Sequence, residues 1–299
     1  MFSNKVLVIG ATGKTGQELV KLLTGHGVIV RAATRNPHAS ILPQSDSLEI
    51  VEFDFERPAT FAQAVRGVNA MFLMARPGDN RSDKAAEPLI DAARAEGIGL
   101  IVNLTAMGVE LDETFMLRRL ERYVEQSGIA YTHLRPNWFM QNFNAGPMYA
   151  DIMTTGALHL PAADARLSFI DVRDIAAVGF AALTESRHAG KAYTLTGGEA
   201  LDHTQVVEKL SSVAGRNIVY VPISEEVARA ALAKAQVPEE HIQRWTEFFR
   251  KVRGGLCAPV HRDVETILDR PPISFDEYAR AYAPAWKKNV SLQNSNNLT

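Results

Sequence analysis

The chain has 299 residues, 46% of them hydrophobic and 22% charged, with a formal net charge of −2; this excludes a disordered chain and favours one large α/β unit or two domains sharing a cleft. It lacks the global basic excess that draws a phosphate backbone, so nucleic acid is not an expected partner. A single cysteine, Cys257, rules out an intrachain disulfide and any cysteine-built zinc or iron–sulfur cluster within one chain.

Val6, Leu7, Val8 and Ile9 form an aliphatic run ended by Gly10, the pattern of a central parallel strand buried on both faces. The opening residues lack the long apolar run and small-residue cleavage site of a secretion signal. No stretch approaches the roughly 20 apolar residues of a membrane span, so a cytoplasmic setting without a membrane partner is expected. Leu19, Val20, Leu22 and Leu23 then recur at helical spacing until Gly25-His26-Gly27 stops them, and Val28-Ile29-Val30 opens a second strand that leads to Thr34-Arg35. Further strands are expected at 48–53, 70–74, 100–104 and 131–134, with helices around 61–65, 85–95 and 115–126. This alternation predicts a Rossmann-type, doubly wound α/β fold with a mainly parallel sheet, because parallel neighbours need crossovers and right-handed crossovers put helices on both faces.

After Arg135-Pro136 the regularity weakens. The expected organisation is a dinucleotide-binding domain over 1–134 and a smaller C-terminal substrate domain over 135–286 that returns strands to the main sheet at 167–170 and 192–195. That second domain carries helices at 225–235 and 239–250. Residues 287–299, rich in Asn and Ser, read as a disordered tail. There is no internal repeat.

Gly10-Ala11-Thr12-Gly13-Lys14-Thr15-Gly16 falls between the first strand and the first helix, where a helix N-terminus can hold a diphosphate. Glycine allows the tight turn and lets the backbone approach the anion. The run from Gly10 to Gly13 is too short for a P-loop, although Gly13-Lys14-Thr15 resembles the end of one. At the end of the second strand, where a carboxylate would accept from the ribose hydroxyls of NAD, stands Arg35, whose guanidinium can pair with the extra phosphate of NADP. Lys14 either adds a second positive charge there or is simply solvated. The cofactor expected is therefore NADP(H).

These residues resemble the NmrA-like group of atypical short-chain dehydrogenases/reductases. The resemblance rests on Gly10 to Gly16, Arg35-Asn36-Pro37, Phe72-Leu73-Met74, Val102-Asn103-Leu104-Thr105-Ala106-Met107-Gly108, Ser127-Gly128, Leu134-Arg135-Pro136, Phe139-Met140-Gln141-Asn142 and Phe169-Ile170-Asp171-Val172-Arg173-Asp174-Ile175-Ala176, in the same order as far as about Gly215. It implies that Asp54 and Phe55 border the adenine, that Ala75, Arg76 and Pro77 run along the dinucleotide, and that Thr105 and Ala106, with Met107 beside them, approach the nicotinamide. Members include quinone and dye reductases, ether-cleaving plant reductases and redox sensors without known turnover, so membership alone leaves function open.

Short-chain dehydrogenases usually place a Tyr and a Lys four residues apart on the helix after the fifth strand, where the lysine cation lowers the pKa of the proton-donating phenol. Aligned on Ser127-Gly128 and Leu134-Arg135-Pro136, the lysine position falls on Leu117 and the tyrosine position on Glu113, so that relay is expected to be missing and the catalytic residues stay unassigned. Met107, Asn137, Trp138, Phe139, Asn142 and Phe143 either wall an apolar pocket for a flat aromatic acceptor or pack the domain junction. Asp171 is expected to cap a helix. The scattered histidines have no metal-ligand spacing, so no metal is expected. The function expected is hydride transfer from NADPH to a small quinone-like or conjugated aromatic acceptor; the alternative is a non-enzymatic NADP(H) sensor acting on a protein partner. Oligomeric state is not legible.

Overall fold

In the first strand Val6 and Val8 face one side of a sheet and Leu7 and Ile9 the other, and all four are buried, so period-two alternation commits both faces to a core. A computed structural model describes residues 5–39, 41–42, 45–76, 79 and 81–287. Its strands are β1 (Lys5–Val8), β2 (Ile29–Thr34), β3 (Leu48–Glu52), β4 (Ala70–Met74), β5 (Leu100–Leu104), β6 (Ala130–Pro136), β7 (Ala157–Leu160), β8 (Lys191–Leu195) and β9 (Val219–Pro222). Its helices are α1 (Lys14–Gly25), α2 (Phe61–Val65), α3 (Ser82–Glu96), α4 (Met116–Gln126), α5 (Pro147–Thr155), α6 (Val172–Thr184), α7 (His203–Ala214), α8 (Glu225–Lys234), α9 (Glu239–Arg253), α10 (Asp263–Leu268) and α11 (Phe275–Ala281).

Seven strands make a sheet in the order β3-β2-β1-β4-β5-β6-β8, with every neighbouring pair parallel. This is the doubly wound, Rossmann-type sheet expected from the alternation. The chain leaves β1 toward β2 on one side and resumes at β4 on the other, so the strand order reverses beside the glycine turn, the place where such sheets bind ligands. On one face Leu19, Val20 and Leu23 of α1 share a core with Ile175, Val178 and Ala182 of α6. On the other, Phe61 of α2, Leu89 and Ile90 of α3, and Leu120 and Val124 of α4 pack on Leu7, Met71 and Ile101. Each large apolar side chain so buried contributes about 1.5–3 kcal/mol, which holds the strand ends in place as a rigid platform.

Among the described residues the chain divides into two compact units: those up to Phe139 with Ile170–Gly198 and Val260–Pro272, and Met140–Phe169 with Glu199–Pro259 and those from Ile273 on. The break lies at Phe139 because the sheet runs past Pro136: the Asn137 amide donates to the Leu195 carbonyl and the Ile170 amide to that of Trp138. The second strand expected to return, at 192–195, is β8 on the sheet edge beside β6. The one expected at 167–170 does not form; those residues make isolated bridges, Ile170 with Phe139 and Leu167 with Leu201, and their alternating apolar pattern instead buries Leu167, Phe169 and Ile170. Asp171 caps α6 as expected, its carboxylate accepting from the Arg173 amide at 2.9 Å.

The second unit pairs β7 with β9 in parallel and centres on rings: Phe143 lies 5.3 Å from Phe169 and 5.7 Å from Phe275, centroid to centroid. Burial among them pushes the His203 imidazole down to about 4. Among the described residues no helix is long and apolar enough to cross a membrane. Residues 288–299, most of the expected tail, lie outside the described residues.

Candidate functional site

The glycines have separable jobs. Gly10 turns the chain at φ +75°, and a Cβ there would lie 2.3 Å from the Met74 methyl. A Cβ on Gly16 would lie 2.1 Å from the Gly10 carbonyl oxygen, so the third glycine lets α1 press against the turn. Gly13 is the N-cap of α1, where a Cβ would lie 3.2 Å from the Gly10 carbonyl oxygen, and with no side-chain cap and no acidic residue in the first turn the helix N-terminus carries its partial positive charge uncompensated. The turn is braced from behind, where the Gly13 amide donates to the Gly10 carbonyl at 2.9 Å and the Gln17 side-chain amide to the Thr12 carbonyl at 2.8 Å.

In front of the turn lies a cavity of about 350 Å³, lined by Ile9, Gly10, Thr12, Gly13, Ala33, Thr34, Arg35, Phe53, Asp54, Phe55, Met74, Ala75 and Arg76. It spans the C-terminal ends of β1, β2, β3 and β4, and it gathers most of the residues expected to hold a dinucleotide. Arg35 is exposed at its rim, immediately after β2. Arg31, two turns of the pleat earlier, is excluded from that task because its guanidinium is committed to Glu49 and to the carbonyls of Gln63, Ala64 and Arg66. Phe55 stands edge-on to Phe53, which stacks on Phe61 at 5.3 Å, so an aromatic wall faces the β3 end of the cavity. Asp54 is fixed by the Glu56 amide, donating to its Oδ1 at 3.0 Å, and Arg76 pairs with Glu56.

Lys14, Thr15 and Gly16 belong to the helix behind the turn and do not line the cavity; burial pushes the Lys14 amine below the usual lysine range. Pro77 lies outside the described residues. Ala33, Thr34, Phe53 and Met74 line the cavity without having been singled out, and each stands at or next to a strand end flanking the reversal of strand order, the signal by which they could have been found.

A second construction occupies the ends of β5 and β6. Glu121 on α4 is fully buried, and its carboxylate accepts from Arg135 Nε at 2.9 Å and Nη2 at 2.8 Å, from Arg118 Nη1 at 2.7 Å and from the Thr105 hydroxyl at 2.8 Å. Burial raises its pKa, but the hydrogen bonds from Arg135, the charge of His133 and the bond from Arg118 outweigh that, and the carboxyl is held below the usual range. Sequence reading noticed Arg135 only as a motif residue and Glu121 not at all, since nothing local marks a helical glutamate as buried. Glu121, Glu125 and the buried His133 bring ligand-type atoms within 4.8 Å of one another. Arg118 Nη1 already touches both carboxylates, at 2.7 and 3.4 Å, so a guanidinium supplies the positive charge there.

On the same helix Leu117 packs against the core, and Glu113 precedes the first turn with its carboxyl pulled down to about 2 by Arg122 and Arg118. Neither side chain can give up a proton near neutral pH. Met107, whose amide donates to the Pro136 carbonyl, and the buried Asn137, whose Oδ1 accepts from the Trp138 amide, lie past the ends of β5 and β6, with Trp138 half-buried. Phe139 packs partly against the sheet core and Asn142 is half-buried in the second unit. Of the two readings left open for Phe143, the structure gives packing: it is 0% exposed within the second unit's ring cluster and its carbonyl accepts from the Trp286 indole at 2.7 Å.

A model of the NmrA-like family matches residues 3–278. The NAD(P)H azoreductase of Xenophilus azovorans is 32% identical over 286 residues, covering 94% of this chain and 99% of its own. A (4-alkanoyl-5-oxo-2,5-dihydrofuran-3-yl)methyl phosphate reductase of Streptomyces griseus is 33% identical over 289 residues, covering 93% and 99%. Among solved structures, the NADPH complex of an NADPH-dependent quinone oxidoreductase from Escherichia coli shares the fold with a TM-score of 0.80 at 21% identity, over 92% of this chain and 99% of that one.

Proposed function

Because the chain belongs to the NmrA-like family, we propose that it binds NADP(H) at the glycine turn and transfers a hydride from NADPH to a small quinone-like or conjugated aromatic acceptor. The observation that carries this reading is one cavity with a bare helix N-terminus at its floor and Arg35 at its rim. The chemistry of that donor set fits a phosphorylated dinucleotide. Main-chain groups of Gly10, Thr12 and Gly13 would cradle the diphosphate, Arg35 would select the 2′-phosphate, and Asp54, Phe55, Ala75 and Arg76 would line the adenosine half. Thr105 and Ala106 would meet the nicotinamide half. When bound, NADPH supplies the hydride.

The acceptor class draws support from relatives named for reducing azo compounds and a conjugated lactone and from a fold neighbour named for quinones. Met107, Asn137 and Trp138 are the residues proposed to face it. With Leu117 and Glu113 unable to donate a proton, an acceptor whose reduced product spreads its charge and takes a proton from water suits the chain best. The test is acceptor-dependent loss of NADPH absorbance across quinones, azo dyes and enones. Turnover with at least one class is the expected result; a protein that binds NADPH and reduces none of them contradicts it. Such an outcome would favour the second reading, an NADP(H) sensor without turnover, which rests on the same two side chains, Leu117 and Glu113.

A further inference from the structure

We infer that Glu121 is a positioning residue that locks the Thr105 hydroxyl into a pure hydrogen-bond acceptor, so that Thr105 holds a donor group on the nicotinamide half of the cofactor and gives no proton to the acceptor. The inference rests on the placement of the nicotinamide against Thr105 proposed above. A hydroxyl has one hydrogen and two lone pairs, and a carboxylate offers lone pairs only. At 2.8 Å from Glu121 Oε1, Thr105 Oγ1 must therefore be the donor; the Leu134 carbonyl at 3.4 Å competes poorly with a charged acceptor, and it too would draw the hydrogen inward. What remains for a ligand is a lone pair, which fits a carboxamide N–H or a ribose O–H and repels a quinone carbonyl or an oxyanion.

Glu121 is built to hold this state. Its two oxygens receive three N–H bonds from two guanidiniums besides the hydroxyl, and it is 0% exposed, so it stays ionised and cannot rotate away. Arg135 belongs to β6 and Arg118 to α4 itself, while Thr105 directly follows β5. Three elements thus converge on one carboxylate whose hydrogen-bond partner outside the ion cluster, among the described residues, is the hydroxyl beside the strand end. A packing role alone would not require that contact.

The lock has a specific way to fail. In Glu121→Gln the side chain keeps one acceptor oxygen, and facing it toward Arg118 Nη1 and Arg135 Nη2 satisfies two cationic donors, which leaves the amide N–H₂ opposite Thr105 and turns the hydroxyl hydrogen outward. Affinities for NADPH and for 2′,5′-ADP, which lacks the nicotinamide half, are measured by calorimetry on the full chain. Thr105→Val should weaken NADPH about tenfold, the size of one hydrogen bond, and change 2′,5′-ADP by less than about twofold; Thr105→Ser should restore NADPH binding. Glu121→Gln should match Thr105→Val and add less than about twofold on top of it. Unchanged NADPH affinity in Thr105→Val, or fully additive losses in the double variant, overturns the inference. Should Glu121→Gln not fold, the valine and serine variants decide alone. Wild-type protein that binds neither nucleotide would instead overturn the cofactor site itself.

Discussion

The two halves of the sheet's C-terminal edge are built on opposite principles. Over β1 to β4 the chain strips side chains away at the turn: glycines form it, no acid sits in the first turn of α1, and the result is an open cavity with main-chain groups at its floor and Arg35, Asp54 and Arg76 among its lining. Over β5 and β6 it does the reverse, burying a carboxylate between two guanidiniums. Backbone groups keep their place whatever the pH and suit an anion that comes and goes. A buried ion cluster is costly to assemble and severe to break, which suits a fixed support for one hydroxyl. The comparison teaches that, under the proposed function, affinity and positioning would be separable, one built from an open glycine turn and the other from buried charge.

The comparison breaks most visibly at Glu121. Removing the carboxylate in Glu121→Ala takes away the one fully buried counter-charge of Arg118 and Arg135, leaving them the more exposed Glu113, Glu125 and Glu110, and unfolding in denaturant should show a loss of about 3 kcal/mol, the lower end for a broken buried pair; a loss below about 1 kcal/mol would mean the cluster is solvated and the contrast false. At the other half Arg35→Ala should leave stability unchanged and cost about 1.5–3 kcal/mol of NADPH binding, about ten- to a hundredfold, with NADH affected far less. Equal losses for both nucleotides would remove Arg35 from its assigned phosphate.

Acid sharpens the same contrast. Glu121 has a folded pKa held below its ordinary value, so the unfolded chain binds more protons in that range. The stability it contributes is complete above the usual carboxylate pKa of about 4.3 and drains away as pH falls through the depressed value. Glu121→Gln should flatten that acid limb, read as denaturation midpoints against pH, whereas Arg35→Ala should leave it as it is. An acid limb of the same slope in Glu121→Gln would assign it to other groups.

The β1–β4 half was legible because its rules are local. Gly10, Gly13 and Gly16 follow a buried strand and precede a helix, and Arg35 follows the next strand, so spacing alone places the turn and the rim. The β5–β6 half was not, because its rule is convergence: Glu121 and Arg135 are fourteen positions apart and look like ordinary helix and strand-end charges until the sheet register brings β6 beside β5. The choice between the two readings of Phe143 stayed open for the same reason. Its neighbours Phe169, His203 and Phe275 are scattered along the chain, and an aromatic run after a strand gives no sign of which ring turns into a core. Residues 167–170 likewise carried a strand's pattern, but their partners Leu201 and Phe139 stand in different units and offer one bridge each.

Calorimetric titration of the purified chain with NADPH tests the central claim most directly. One binding event per chain, with NADPH preferred over NADH and the preference abolished in Arg35→Ala, is the predicted result. No heat of association with either nucleotide, from protein shown to be folded, would contradict the account at its root.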